Sequence, residues 1–186
     1  MIDSGELRKG ITIELDGSLY YILEYQHIKL GRGSAQVRLR LRDIKAGHTI
    51  ERTFQAGEKF KRAYLEERPA QYLYQDGDLY YFMDQENFEQ IPLTREQLGD
   101  AINYLKEGLV VQLSSYEGKA IGVELPTTVD LKITETGPSF KGDTSQGGTK
   151  PATLETGITI QVPFFLETGD IIKVDTRTGE YLERVS

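Results

Sequence analysis

Along most of this chain apolar and polar residues alternate in short runs broken by Gly and Asp, the pattern of half-buried strands joined by tight turns. Ile11 to Leu15 is closed by Asp16-Gly17 and followed by Leu19 to Tyr25; Gln71 to Tyr74 is closed by Asp76-Gly77 and followed by Leu79 to Met83. Each Asp-Gly supplies the positive φ that a tight hairpin demands. Further hairpins are predicted for Val110 to Tyr116 with Lys119 to Val123 around Glu117-Gly118, and for Ile171 to Val174 with Tyr181 to Val185 around Thr178-Gly179. The spacing of turns is that of small barrels or sandwiches, so the chain reads as mainly β.

One segment departs from this period. Thr94 to Lys106 places Leu98, Ala101, Ile102 and Leu105 at helical spacing, with Thr94 and Gln97 three apart as a capping box and Gly108 as a terminator. A short amphipathic helix is predicted, plugging a barrel end or bridging strands.

The strongest local pattern lies on the arm that leaves Gly31-Arg32-Gly33. There Gln36, Arg38, Arg40 and Arg42 alternate strictly with Val37, Leu39 and Leu41, so a two-residue period gathers three guanidiniums on one face and the apolar side chains on the other. At ~3.4 Å per residue the outer two Arg stand ~14 Å apart, a row that could lie along a phosphate backbone. The competing reading is a solvated face whose charges are matched by acids on neighbouring strands. Arg32 sits at the end of a hairpin with arms from Tyr20 to Leu30 and from Ser34 to Arg42. A strand pair carrying one planar, permanently charged five-donor group suits a confined polar site; an ordinary Gly-rich turn with a solubilising Arg is the alternative.

Composition narrows the chemistry. Among 186 residues there is no Cys and only two His, His27 and His48, so a disulfide framework, a thiolate zinc site and a Cys nucleophile are excluded. Met1 to Gly10 lacks an apolar segment and no stretch approaches the ~20 apolar residues that span a bilayer, so a cytoplasmic protein with no membrane partner is expected. The net charge of −7 hides a gradient. Met1 to Arg62 holds 12 Lys and Arg against 8 Asp and Glu, Ala63 to Thr127 holds 4 against 12, and Thr128 to Ser186 holds 6 against 9. A basic first third beside an acidic middle predicts parts that face different surroundings, although clustering of solubilising charge would look the same. Boundaries are accordingly expected near Arg62 and Ala63 and near Pro126 to Val129, giving modules of 1–62, 63–127 and 128–186.

Two near-motifs fail. Gly31-Arg32-Gly33-Ser34-Ala35-Gln36 lacks the third Gly of a dinucleotide fingerprint and sits in a hairpin. Gly142 to Lys150 has the composition of a phosphate loop, but Thr149-Lys150-Pro151 reverses the required Lys-Ser/Thr order, and Pro151 discourages a helix there. Acids and His fall at no spacing that pairs an acid with a base. The eleven Tyr concentrate at strand positions such as Tyr72, Tyr74, Tyr80 and Tyr81, where packing is favoured over base stacking.

The segment Lys150 to Gly169, reading Lys-Pro-Ala-Thr-Leu-Glu-Thr-Gly-Ile-Thr-Ile-Gln-Val-Pro-Phe-Phe-Leu-Glu-Thr-Gly, resembles the C-terminal signature of the bacterial elongation factor P family, with every fixed position present. The resemblance extends to Lys29 through Ala35, Glu51 to Phe54, Tyr72 to Tyr74, Gly142-Asp143-Thr144, and Lys173 to Tyr181. It implies an N-terminal SH3-like (KOW-like) barrel followed by two OB-folds, arranged as an L similar in outline to a transfer RNA. It implies a translation elongation factor, not an enzyme, that binds the ribosome between the peptidyl and exit sites. There it would promote the first peptide bond and bonds within proline runs without hydrolysing a nucleotide and with no cofactor or metal.

The implied partners are the ribosome, peptidyl-tRNA including the initiator, and ribosomal proteins, met by a monomer. Arg32, flanked by Gly31 and Gly33, would reach the tRNA acceptor end; Lys29, Arg38, Arg40 and Arg42 would contact RNA backbone; Gly142, Asp143 and Thr144 would face the small subunit. Many members carry a tip Lys extended with β-lysine, others an Arg that some lineages glycosylate with rhamnose. Arg32 excludes lysylation. Glycosylation would need an arginine-modifying enzyme, but Gly33-Ser34 differs from the Arg-Asn context of such members, and a bare Arg32 already supplies donors and reach. The rival function is a single-strand RNA-binding β-barrel protein without a ribosomal role.

Overall fold

A computed structural model of the chain describes residues 1–29, 31–138 and 148–186. It is mainly β, as the alternation predicts, and its strands form three antiparallel sheets, each drawn from one stretch of sequence. The first contains β1 (Ile2–Asp3), β2 (Thr12–Leu15), β3 (Ser18–Ile28), β4 (Gln36–Asp43), β5 (Thr49–Gln55) and β6 (Lys59–Ala63), in the order β1-β6-β2-β3-β4-β5. Inward positions of the alternating strands meet in a core of Leu7, Ile13, Ile22, Val37, Leu39, Leu41 and Phe60, all buried. Phe54 meets Phe60 edge-on, with ring centroids 4.9 Å apart, closing that core from β5. Ahead of β2 a single 3-10 turn, Ser4–Glu6, is fixed by a capping box between Asp3 and Glu6.

The second sheet holds β7 (Glu66–Asp76), β8 (Leu79–Asp84), β9 (Gln90–Thr94), β10 (Val110–Tyr116) and β11 (Lys119–Glu124), ordered β11-β10-β7-β8-β9. The third holds β12 (Thr128–Thr136), β13 (Thr149–Leu154), β14 (Thr159–Pro163), β15 (Ile171–Asp175) and β16 (Tyr181–Arg184), ordered β14-β13-β12-β15-β16. Numbered from its own first strand, each sheet runs 3-2-1-4-5, so the two repeat one topology. Bulges interrupt the β3–β4, β7–β8, β12–β13 and β15–β16 pairs. An extra residue on one strand increases local twist, which helps small sheets curl around their cores.

The hairpin turns follow the expected chemistry, with one shift. Leu15 pairs with Ser18, and both Asp16 and Gly17 have positive φ, as a two-residue primed turn requires. In the β7–β8 hairpin Asp76 pairs with Leu79, so the central residues are Gly77-Asp78, one place beyond the expected Asp76-Gly77, and Gly77 carries the positive φ.

The helix expected over Thr94 to Lys106 is broken in two. α1 spans Arg95–Leu98, capped as predicted by Thr94 and Gln97, and a 3-10 turn follows over Gly99–Tyr104. Gly99 ends α1 with φ 55° and ψ −133°, a conformation open to glycine, so the terminator stands well before Gly108. Tyr104, at the end of the 3-10 turn, is buried among Val129, Leu131, Ile133, Leu154 and Val174 of the third sheet.

By contacts the chain divides into two compact units. One comprises Met1–Arg68, Leu93–Gly99 and Leu113–Gly122; the other comprises Pro69–Pro92, Asp100–Gln112 and Val123–Ser186. Among the described residues no helix is long and apolar enough to cross a membrane.

Candidate functional site

The β3–β4 hairpin carries most of the residues singled out in the sequence. Its ladder runs from Tyr20 opposite Asp43 to Ile28 opposite Gln36, and β5 continues it on the far side from Thr49 opposite Arg42 to Gln55 opposite Gln36. Beyond the paired residues, Ala56 N–H donates to the Ala35 carbonyl at 2.9 Å, extending the support toward the tip. Val37, Leu39 and Leu41 are fully buried while Arg38, Arg40 and Arg42 are exposed, which is the face separation that the two-residue period predicts.

At the tip, Gly31, Arg32 and Gly33 are all exposed, and so is Lys29. Gly31 adopts φ 42°, which lets the chain turn sharply before Arg32. Among the described residues Arg32 has no hydrogen bond or ion pair, so none of its guanidinium donors is engaged by them.

The row behind the tip is engaged within the chain. Arg40 Nη1 donates to Glu24 Oε1 at 3.2 Å, directly across the β3–β4 pair, and Arg38 Nε lies 3.3 Å from Glu51 Oε1 on β5. Glu51 is itself opposite Arg40, so Glu24, Arg40, Glu51 and Arg38 form a zigzag of alternating charge across three strands. Side chains in both pairs are about half exposed or more, so water weakens the attraction and either Arg can exchange its partner for a phosphate at little cost. Arg42, third in the row, instead places Nη2 against Gly99: a Cβ at that glycine would stand 2.8 Å away. The two Glu partners and Gly99 were not singled out in the sequence. Alternation marks which face a residue takes, and the acids of β3 and β5 become neighbours only once register is set.

Support for the hairpin comes from its flank. Arg8 stands over the Tyr25 ring, 5.5 Å from its centroid, while Nη1 donates to the carbonyls of Gly5 and Leu7. On β6, Lys61 Nζ lies 3.0 Å from Glu14 Oε2, and that hydrogen bond raises the lysine above its ordinary pKa. The remaining sequence-predicted residues, Gly142, Asp143 and Thr144, lie outside the described residues. No three of the described His, Asp and Glu side chains gather closely enough to hold a metal ion.

A basic hairpin on a small β sheet, followed by two sheets of one repeated topology, is matched in known proteins along its whole length. Residues 3–60 match the family description "Elongation factor P (EF-P) KOW-like domain", 65–123 "Elongation factor P (EF-P) OB domain", and 129–184 "Elongation factor P, C-terminal". The chain is 56% identical over 184 residues to elongation factor P of Moorella thermoacetica, covering 99% of this chain and 100% of that protein. It belongs to the bacterial elongation factor P family. The corresponding protein of Carboxydothermus hydrogenoformans is 54% identical over 185 residues, covering 100% of both chains. Members of the elongation factor P family are thus translation elongation factors by name. Among solved structures, eukaryotic translation initiation factor 5A from Methanococcus jannaschii aligns with a TM-score of 0.53 and 24% identity over 66% of this chain and 92% of that one, a likeness of fold.

Proposed function

We propose that this chain binds the ribosome between the peptidyl and exit sites and aligns peptidyl-tRNA, the initiator included, for peptide-bond formation, relieving stalling at proline runs. The observation that carries the reading is Arg32, exposed at the end of a strand pair and without a described partner. Proline is a rigid, poor substrate, and a peptidyl end held away from reactive geometry reacts slowly; fixing that end restores orientation and lowers the barrier. A guanidinium remains protonated at neutral pH, so Arg32 donates hydrogen bonds to RNA oxygens and takes no proton. The action is positioning, not acid–base chemistry, and needs no cofactor.

Lys29, Arg38 and Arg40 are the phosphate contacts of this reading, the two arginines leaving their Glu partners as RNA approaches. Arg42 has a different part, argued below. Gly142, Asp143 and Thr144 would face the small subunit, and the acidic stretch from Ala63 to Thr127 would meet basic ribosomal protein or turn from RNA. The working unit is a cytoplasmic monomer with modules at 1–62, 63–127 and 128–186. Arg32 acts bare, and an intact mass equal to that of the unmodified chain tests this against a surplus of one deoxyhexose left by an arginine-modifying enzyme.

The deciding experiment is translation of a proline-run template with wild type and with Arg32→Ala. Loss of stimulation with Arg32→Ala supports the reading; equal stimulation overturns the assignment of Arg32. A free single-strand RNA binder would hold bare oligonucleotides tightly and would not co-sediment with ribosomes.

A further inference from the structure

Arg42 lies at the base of the hairpin whose tip is Arg32, and its surroundings differ from those of Arg38 and Arg40. Among the described residues it has no carboxylate partner; its Nη2 lies beside Gly99, 2.8 Å from where a Cβ on that residue would stand. Gly99 is doubly constrained, since φ 55° and ψ −133° already demand glycine. A second close approach lies beside the first: Gly47, in the turn after β4, would place a Cβ 3.8 Å from the Glu96 carbonyl oxygen.

Both sides of this contact are stiff. On β4's side, Asp43 is buried and its Oδ1 accepts the N–H groups of Lys45 and Ala46 at 2.9 and 2.8 Å, while Asp43 N–H donates to the His48 carbonyl. On the other side, Thr94 and Gln97 cap α1 reciprocally, and Gln97 Nε2 donates to the Ala120 carbonyl of β11 at 3.2 Å. Two hydrogen-bonded turns thus approach one another, with the Arg42 guanidinium beside Gly99.

We propose that Arg42 is a positioning residue whose planar guanidinium, packed on Gly99, ties the base of the β3–β4 hairpin to the 94–99 turn and sets the direction in which Arg32 is aimed. The proposal rests on the reading of Arg32 given above. Its leverage is geometric. At ~3.4 Å per residue Arg42 lies about 20 Å from Gln36, so a change of aim of about 5° at the base moves that end by about 2 Å. Displacements of about 1 Å at a reacting centre can cost about 100-fold in rate, so aim is worth fixing. A lysine keeps the charge of Arg42 but loses the flat fork, which separates packing beside Gly99 from attraction to a phosphate.

The test uses the full chain as wild type, Arg32→Ala, Arg42→Ala and Arg42→Lys. In the free protein, amide exchange across 94–99 and 43–48 is expected to quicken severalfold in both Arg42 variants, with β12 to β16 unchanged. On ribosomes translating a proline-run template, titration with either Arg42 variant is expected to show maximal stimulation about tenfold lower. The half-saturating concentration and its salt dependence should stay near those of wild type.

Unchanged exchange at 94–99 would overturn the proposal. So would quicker exchange with intact stimulation, because the contact would then set no aim. A third contrary result is the phosphate-contact pattern: Arg42→Lys like wild type, and Arg42→Ala with a raised half-saturating concentration and a salt slope reduced by about one. If wild type fails to stimulate, or Arg32→Ala stimulates equally, the functional reading falls while the exchange measurement still decides whether Arg42 holds the turn.

Discussion

Glu24 stands directly opposite Arg40 on the β3–β4 ladder, with Oε1 of one 3.2 Å from Nη1 of the other. The geometry is favourable, yet the side chains are 69% and 52% exposed, so the pair is screened and adds little to stability. Glu24→Gln is expected to change unfolding free energy by less than ~1 kcal/mol in a denaturant titration. On the proposed reading of Arg40 as a phosphate contact, it should also lower the concentration of factor that half-saturates ribosomes, because Arg40 would no longer have to leave a partner. A markedly larger stability loss would make the pair a structural fixture and Arg40 unavailable.

Arg32→Ala should leave thermal unfolding unchanged, since the side chain is exposed and bonded to nothing described. Stimulation on a proline-run template should be lost in the same preparation. Arg32→Lys keeps charge and reach but not the five-donor fork and should recover only part of it. A fall in melting temperature with Arg32→Ala would point to a structural part for the tip.

The third sheet contains a carboxylate whose ionisation stabilises its hairpin. Asp175 accepts from Arg177 Nε and N–H at Oδ1 and from Nη2 at Oδ2, and these bonds hold its pKa below the usual carboxylate range. A group with a depressed folded pKa contributes stability above its unfolded value and loses that contribution as pH falls through the folded one. Asp175→Asn should therefore melt lower than wild type near neutral pH, and the gap should narrow as pH drops below about 4. Melting temperatures of both proteins across that range check it; a gap independent of pH would mean that shape, not charge, matters at this turn.

Gly148 tests packing at the entry to β13. A Cβ there would lie 2.2 Å from Cε2 of Phe164, with two more ring atoms at 3.0 and 3.2 Å, so the ring as a whole must move. Gly148→Ala is expected to destabilise by about 1–3 kcal/mol, the range of overpacking. Phe164→Leu in the same chain should return part of the loss. Chemical unfolding of the two single variants and the double variant measures the coupling directly.

Much of this was legible in the residues. The alternation from Gln36 to Arg42 assigned inward and outward faces correctly because burial of one face enforces a period of two. The Thr94–Gln97 capping box marked the start of α1, since that bond is local. What propensity concealed was the end of α1: the apolar spacing of Leu98, Ala101, Ile102 and Leu105 favours one continuous helix, and only the φ and ψ of Gly99 reveal the break. The partners of the Arg row were equally hidden. Glu24 and Glu51 are placed beside Arg40 by register and a bulge, and Gly99 meets Arg42 through tertiary packing that no local period encodes. The expected small-subunit residues, Gly142 to Thr144, lie outside the described residues.

Every sheet in this protein is assembled from strands consecutive in the chain, β1 to β6, β7 to β11 and β12 to β16, with none borrowed across. Such a layout suits vectorial folding during synthesis: as each block of strands leaves the exit tunnel it already holds every strand it will pair with. The first block to emerge carries the Arg32 hairpin, so its strands can pair while the rest is still being made, and the contact of Arg42 with Gly99 must wait for the second block.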